Sequence, residues 1–216
     1  GEEKASLFQT VRAQLEAAHY HSQQMYDKAW TAYWTYLSAV DAEERSYYEA
    51  LKYVAPPEVY AAYAATPEEE RTEILRRFWA SRDPNPATVV NERLVEHYRR
   101  VMFAREYFAG GKTPWDRRGD IYLRYGDPDD RQRFIGGSNE GDVFMTTRTP
   151  FGSSIMERSF RSSGNDEDFV RPTSNPAVDA IREVNRQVRY RLRARGAHAS
   201  ESWVYAAYGL ELFFVD

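Results

Sequence analysis

The sequence predicts a helix-rich α+β fold. An N-terminal array of hairpin-like helices fills residues 1–80, and a small antiparallel β/helix module fills residues 81–216. Three observations carry this expectation. Apolar residues recur at helical spacing through the first half. Pro56-Pro57, Pro67, Pro84, Pro86 and Gly110-Gly111 cut that half into short segments. Period-two alternation appears only later, at Ile121, Leu123 and Tyr125 and again near the C-terminus.

Each element follows in order. Between residues 5 and 40, Leu7, Val11, Leu15, Ala18, Met25, Ala29, Tyr33, Tyr36, Leu37 and Val40 keep helical spacing with no proline or glycine among them. Asp41 with Glu44 is a capping pattern for a helix near 42–54, stopped by Pro56-Pro57. A short helix fits 57–65. Thr66-Pro67-Glu68-Glu69 then combines a cap, a first-turn proline and a capping-box glutamate, opening a helix that runs to about Ala80. The stretch from Ser81 to Thr88 excludes helix, because Pro84 and Pro86 force their predecessors into extended backbone. A helix from about Val89 to Phe108 turns Leu94, Tyr98, Val101, Met102, the stem of Arg105 and Phe108 inward. Ile121 to Tyr125 reads as a strand, and Gly126-Asp127-Pro128-Asp129 as the turn that leaves it. Residues 131–173 read as a long irregular loop with one strand at Val143–Thr147. Asn175-Pro176 opens a last helix closed by Gly196, and two strands follow, Trp203–Ala206 and Leu210–Val215. The chain stops on an apolar strand, so the protein is expected to continue beyond residue 216.

Composition narrows the function classes. The chain has no cysteine, which excludes disulfides, thiolate zinc sites and cysteine nucleophiles. A net charge of −4 gives no global attraction to nucleic acid. No apolar run approaches the roughly 20 residues of a membrane span, and the first residues lack the pattern of a signal peptide. Of 29 basic residues, only Lys4, Lys28, Lys52 and Lys112 are lysine. Arginine with 16 tyrosines suits planar, partly desolvated contacts of the interface type, or reflects codon composition.

Candidate sites are few. Asp127, Asp129 and Asp130 offer carboxylates in a cluster, but an EF-hand loop needs further ligands and a glycine at its sixth position. Solvated turn residues are the first reading and calcium the alternative; no cofactor is expected. His19 and His21 fall on different faces of a helix, and no HExxH occurs. No GxSxG elbow is present. Arg182, Arg186 and Arg189 share one face of the last helix, either to meet an acidic partner or as a solvated face. Trp30, Tyr33, Trp34, Tyr36 and Leu37 read as helix packing. Phe134, Phe144, Phe151 and Phe160 are too apolar for a solvated linker and are expected to lie across a surface of this chain or a neighbour.

Three segments together resemble the bacterial GWxTD-domain family: "RRFWASRDPNPATVVNERLVEHYRRVMFAREYFAGG", "TPWDRRGDIYLRYGDPDD" and the terminal "GLELFFVD". The resemblance covers roughly residues 40–130 and the last fifteen, and its order and spacing carry it. The naming motif departs: Thr113-Pro114-Trp115-Asp116-Arg117 stands where the family reads Gly-Trp-x-Thr-Asp. The resemblance implies an often exported bacterial protein, frequently with helical repeats ahead of the domain, and implies no activity. On this reading Phe78 and Trp79 anchor the last array helix. Arg82, Asp83 and Pro84 fix the linker, and Trp115, Tyr122, Tyr125, Gly126 and Pro128 belong to the motif. Arg117 and Arg118 are expected to pair with carboxylates of the linker or the aspartate turn.

The expected function is a non-enzymatic protein–protein interaction or scaffold module of a bacterial envelope or secreted assembly. Other protein subunits are its expected partners. A hydrolase or calcium-dependent binder built on the aspartate turn is the alternative.

Overall fold

The computed structural model describes residues 2–110, 113–135, 142–145, 175–194 and 199–215. The chain is helix-rich α+β, with eight α-helices and a four-stranded antiparallel sheet among those residues. It divides into two compact units, Gly1–Gly126 and Asp127–Asp216. The boundary expected at 80/81 therefore lies inside the first unit.

The first unit holds α1 (Glu2–Ser22), α2 (Tyr26–Ala39), α3 (Ala42–Glu49), α4 (Pro57–Ala65), α5 (Glu68–Ala80), α6 (Glu92–Tyr107) and α7 (Arg117–Tyr125). The unbroken periodicity of 5–40 is interrupted after all. Gln24 takes a positive φ of 58°, the Met25 N–H donates to the Tyr20 carbonyl and the Gln24 N–H to the His21 carbonyl. That is a Schellman closure built on glutamine rather than glycine, and it makes α1 and α2 a hairpin. Small residues line the contact: Ala13 and Ala17 are buried on α1, Ala29 and Ala32 on α2.

Caps explain the next boundaries. Asp41 accepts from the Glu44 N–H at 2.8 Å, as the pattern predicts. Thr66 does not cap α5. Its hydroxyl donates back to the Ala62 carbonyl of α4 at 2.9 Å, and Pro67 occupies the N-cap position without a side-chain bond. Asn91 caps α6 by accepting from the Leu94 N–H at 2.9 Å.

Helix α6 is the spine of this unit, packing on α1, α2, α3 and α7. Val95, His97, Tyr98, Arg99, Val101, Met102, Phe103 and Ala104 are all buried on it. Trp30 stacks on Tyr98 at 5.5 Å between ring centroids, while Tyr33 and Tyr48 meet the same ring edge-on at 5.9 and 5.6 Å. Phe103 stacks on Tyr122 of α7 at 4.5 Å. A second cluster joins Leu51, Ala55, Phe78 and Trp79.

Residues 117–125 are helix, not strand. Alternation over only five residues is also compatible with a helix, and the local signals favour one. Asp116 caps by accepting from the Arg118 N–H at 2.8 Å, and Tyr122 and Leu123 bury together on the inner face. Gly126, at φ +80°, ends the helix. Gly119 is required by space: a Cβ there would stand 2.9 Å from the Trp115 Cβ and closer still to the indole.

The second unit holds β1 (Asp130–Ile135), β2 (Asp142–Met145), α8 (Pro176–Ala194), β3 (Ala199–Tyr205) and β4 (Leu210–Val215), with strand order β2-β1-β3-β4. The expected irregular loop thus begins with a β-hairpin, and its predicted strand at Val143–Thr147 lies at Asp142–Met145. Asp130 pairs with Val204, Gln132 with Ser202 and Val204 with Glu211, so these residues point to one face, the face that α8 covers. Asn175 accepts from the Ala177 N–H at 3.0 Å and opens α8 as predicted.

Two predictions follow from this packing. Gly119→Ala should destabilise the chain by about 2 kcal/mol through overpacking against Trp115, seen as a lower urea midpoint and altered near-UV circular dichroism of the tryptophans. His97 is fully buried. Its Nε2–H donates to the Tyr48 carbonyl at 2.9 Å, and its Nδ1 has no partner. Burial lowers its pKa from 6.5 to about 3, against the opposing pull of the Tyr48 carbonyl. The unfolded imidazole therefore takes up a proton first as pH falls. Stability contributed by neutral His97 is fully present above pH 6.5 and is lost as pH falls toward 3. Urea unfolding at pH 7 and pH 5 should differ by about 2 kcal/mol from this residue, and His97→Gln should flatten the difference.

Candidate functional site

Three polar clusters and one apolar face are the chemically distinctive features. The first cluster centres on the Glu96 carboxylate of α6. It accepts from Arg99 Nε at 2.7 Å and Nη2 at 2.9 Å, and from Arg100 Nε at 2.6 Å; His21 Nε2 of α1 stands 3.1 Å away. Burial alone would raise the carboxyl pKa. The hydrogen bonds from Arg99 and His21 and the charges of Arg99 and Arg100 outweigh it and hold Glu96 well below the carboxylate range. The same arginines reach onward. Arg99 Nη1 donates to the Tyr122 hydroxyl at 2.9 Å, and Arg100 Nη1 to the Leu123 and Arg124 carbonyls at 3.2 Å. One carboxylate thereby ties three helices.

The second cluster joins α3 to α6. Arg105 forks onto Glu44, with Nη2 at 2.6 Å from Oε2, and its Nη1 donates to the Pro114 carbonyl at 2.8 Å. Glu44 is the residue that the capping pattern assigned to close a box; its side chain serves Arg105 instead. Beside it, Trp115 donates from Nε1 to Asp120 at 3.1 Å and packs edge-on against Tyr53.

The third cluster lies between α8 and the sheet. Arg182 is fully buried, paired with Asp130, and donates to Gln132 at 2.6 Å and Glu211 at 3.4 Å. Ser202 donates to Glu211 at 2.5 Å. On the opposite face of the sheet Arg131 pairs with the buried Glu201 and lies over the Trp203 ring, its guanidinium carbon 5.2 Å from the centroid. These pairs are structural by geometry: each carboxylate is engaged by an arginine from another element.

The aspartate turn resolves into separate roles. Asp130 is buried against Arg182, which corrects its reading as a solvated turn residue. Asp129 accepts from the Ala206 N–H at 2.6 Å and its own N–H donates to the Val204 carbonyl at 2.8 Å. Among the described residues no group of three acidic or histidine side chains is placed to hold a metal ion. Asp127 and Pro128 are half-buried in the connection to β1.

The remaining predicted residues are found as follows. Phe78 and Trp79 are buried in the cluster described above. Arg82 folds back over the Phe78 ring, 3.7 Å from its centroid, and donates to the Phe78 carbonyl. Asp83 accepts from the Asn85 N–H at 3.0 Å, a local turn around Pro84. Arg117 pairs with Asp120 at 3.0 Å and Arg118 with Asp116 at 2.6 Å, so both find carboxylates of their own segment. Tyr125 is half-buried and borders, with Pro56 and Arg93, a shallow cleft of about 230 Å³. Arg186 pairs with Glu183 at 3.2 Å. Arg182 and Arg186 thus part company despite their shared spacing. Phe134 and Phe144 lie in β1 and β2 and Arg189 in α8, with side chains outside the described residues, as are Phe151 and Phe160 altogether.

The apolar face is on α1. Leu7, Phe8, Val11 and Leu15 are 65%, 69%, 45% and 66% exposed. At about 100° per residue they fall within an arc of about 100°, opposite the buried alanines. Periodicity marked Leu7, Val11 and Leu15 as helical but could not say which face the hairpin would bury. The Glu96 cluster was also missed, although "EHYRR" carries the three- and four-residue spacings that produce it.

Arg182→Met should cost about 3–5 kcal/mol, because it leaves Asp130 and Glu211 without their shared cation in a dry site. Arg182→Lys should recover only part of that, since a single ammonium cannot serve separated acceptors. Chemical denaturation of the three proteins checks both.

No family model, no curated protein and no solved structure matches this chain.

Proposed function

We propose that the chain is a non-enzymatic interaction module within a larger protein assembly. The observation that supports this best is the apolar face of α1. Four large side chains stand exposed along one helix, whereas scattered single exposures are the norm for a chain without partners. The chemistry-bearing side chains support the same reading. Glu96, Glu44, Asp130 and Glu201 each hold an arginine that ties structural elements together. No helix among the described residues is long and apolar enough to cross a membrane. The resemblance to GWxTD-domain proteins supports an assembly of the bacterial envelope or a secreted one, with other protein subunits as partners.

A photo-crosslinking residue at position 8 should capture protein neighbours in the source cells far more efficiently than one at position 23, an exposed site in the α1–α2 turn. Equal yields at the two positions reject the reading. Leu15→Glu should change unfolding free energy by less than about 0.5 kcal/mol, because the side chain is exposed, while removing adducts at position 8.

A further inference from the structure

The spacing of the α1 face identifies a partner that fits it. Leu7, Val11 and Leu15 are separated by four residues on either side of Val11. The stripe is therefore symmetric about Val11. A second copy of the same helix, laid antiparallel, sets Leu7 against Leu15, Val11 against Val11 and Leu15 against Leu7. That is the pattern of an isologous two-fold contact, in which one patch complements itself. Phe8 widens the stripe on one side. The Arg12–Glu16 ion pair, 2.8 Å long and exposed, borders it with charges already matched within the helix. An approaching copy meets no unpaired ion from that pair.

The area is that of a small contact. The four exposed residues present roughly 400 Å² of surface per copy, on the order of 900 Å² at most for the pair, just under the size of a stable specific interface. An interface of that size is weak and concentration-dependent rather than obligate.

We propose that α1 is a homodimerisation helix, pairing antiparallel with α1 of a second copy through Leu7, Phe8, Val11 and Leu15. This rests on the interaction-module reading and names its partner.

The chain has no cysteine, so single-cysteine variants report geometry cleanly. The full chain should sediment as a reversible monomer–dimer mixture at micromolar to millimolar concentration, and Leu15→Glu should raise the dissociation constant at least tenfold. With a short bis-maleimide, Val11→Cys should crosslink to itself, Leu7→Cys should not, and a mixture of Leu7→Cys with Leu15→Cys should. Self-crosslinking of Leu7→Cys as efficient as that of Val11→Cys indicates a parallel pair and overturns the proposal. A chain monomeric at every concentration overturns it too. The interaction-module reading then stands or falls separately, on whether the position-8 adducts contain a different protein.

Discussion

The first unit depends on one buried carboxylate. Glu96 sits on α6, the helix that packs on α1, α2, α3 and α7 alike. Its two arginine partners lie one turn along the same helix, so the cluster forms as soon as α6 does. What gives it reach is that Arg99 and Arg100 have donors to spare. Their remaining N–H groups run to the Tyr122 hydroxyl and to the last carbonyls of α7, groups that a helix end leaves unsatisfied. His21 brings in α1 from the other side. A planar guanidinium with fixed donor directions can satisfy a carboxylate and a second acceptor together, which a lysine ammonium cannot do with the same geometry. The bias of this chain toward arginine has a structural use here, repeated at Arg105 and Arg182.

Much of the fold was legible in the sequence because local chemistry decided it. Asp41 capped α3, Asn175 opened α8, and 84–86 stayed out of helix as its prolines require, whereas the helix expected to reach 54 ends at Glu49, where Ala50 turns extended, ahead of Pro56. The misreadings share a cause. At 117–125 five residues satisfy both periods, and the deciding signals were Asp116 as a cap and Gly119 as room for an indole, which depend on neighbours. At residue 24 a glutamine took the backbone conformation that glycine usually marks. At 66 a threonine had two carbonyl and amide partners within reach and chose the preceding helix.

The candidate sites were less legible, for a different reason. Charge pairs three and four residues apart can be read locally, but burial cannot. Arg182 and Arg186 look alike in sequence, and only the sheet beneath α8 separates the one with buried partners from the one in solvent. Asp130 looked like part of a solvated turn because its partner is 52 residues away. On α1 the spacing of apolar residues marked a helix without marking its inner face, and the face that is buried carries alanines.

That choice of alanine has a thermal consequence. Among its described side chains α1 buries only Ala13 and Ala17, with His21 reaching Glu96 near its end. Unzipping α1 therefore exposes little apolar surface of its own that was not already wet. Such a segment opens at low cost, well before the rest of its unit. Its amide protons should exchange as a group of their own, faster than those of α6. Whatever covers the outer face would then lock the hairpin shut and slow that exchange, so occupancy of the face is written into the hydrogen-exchange clock of a single helix.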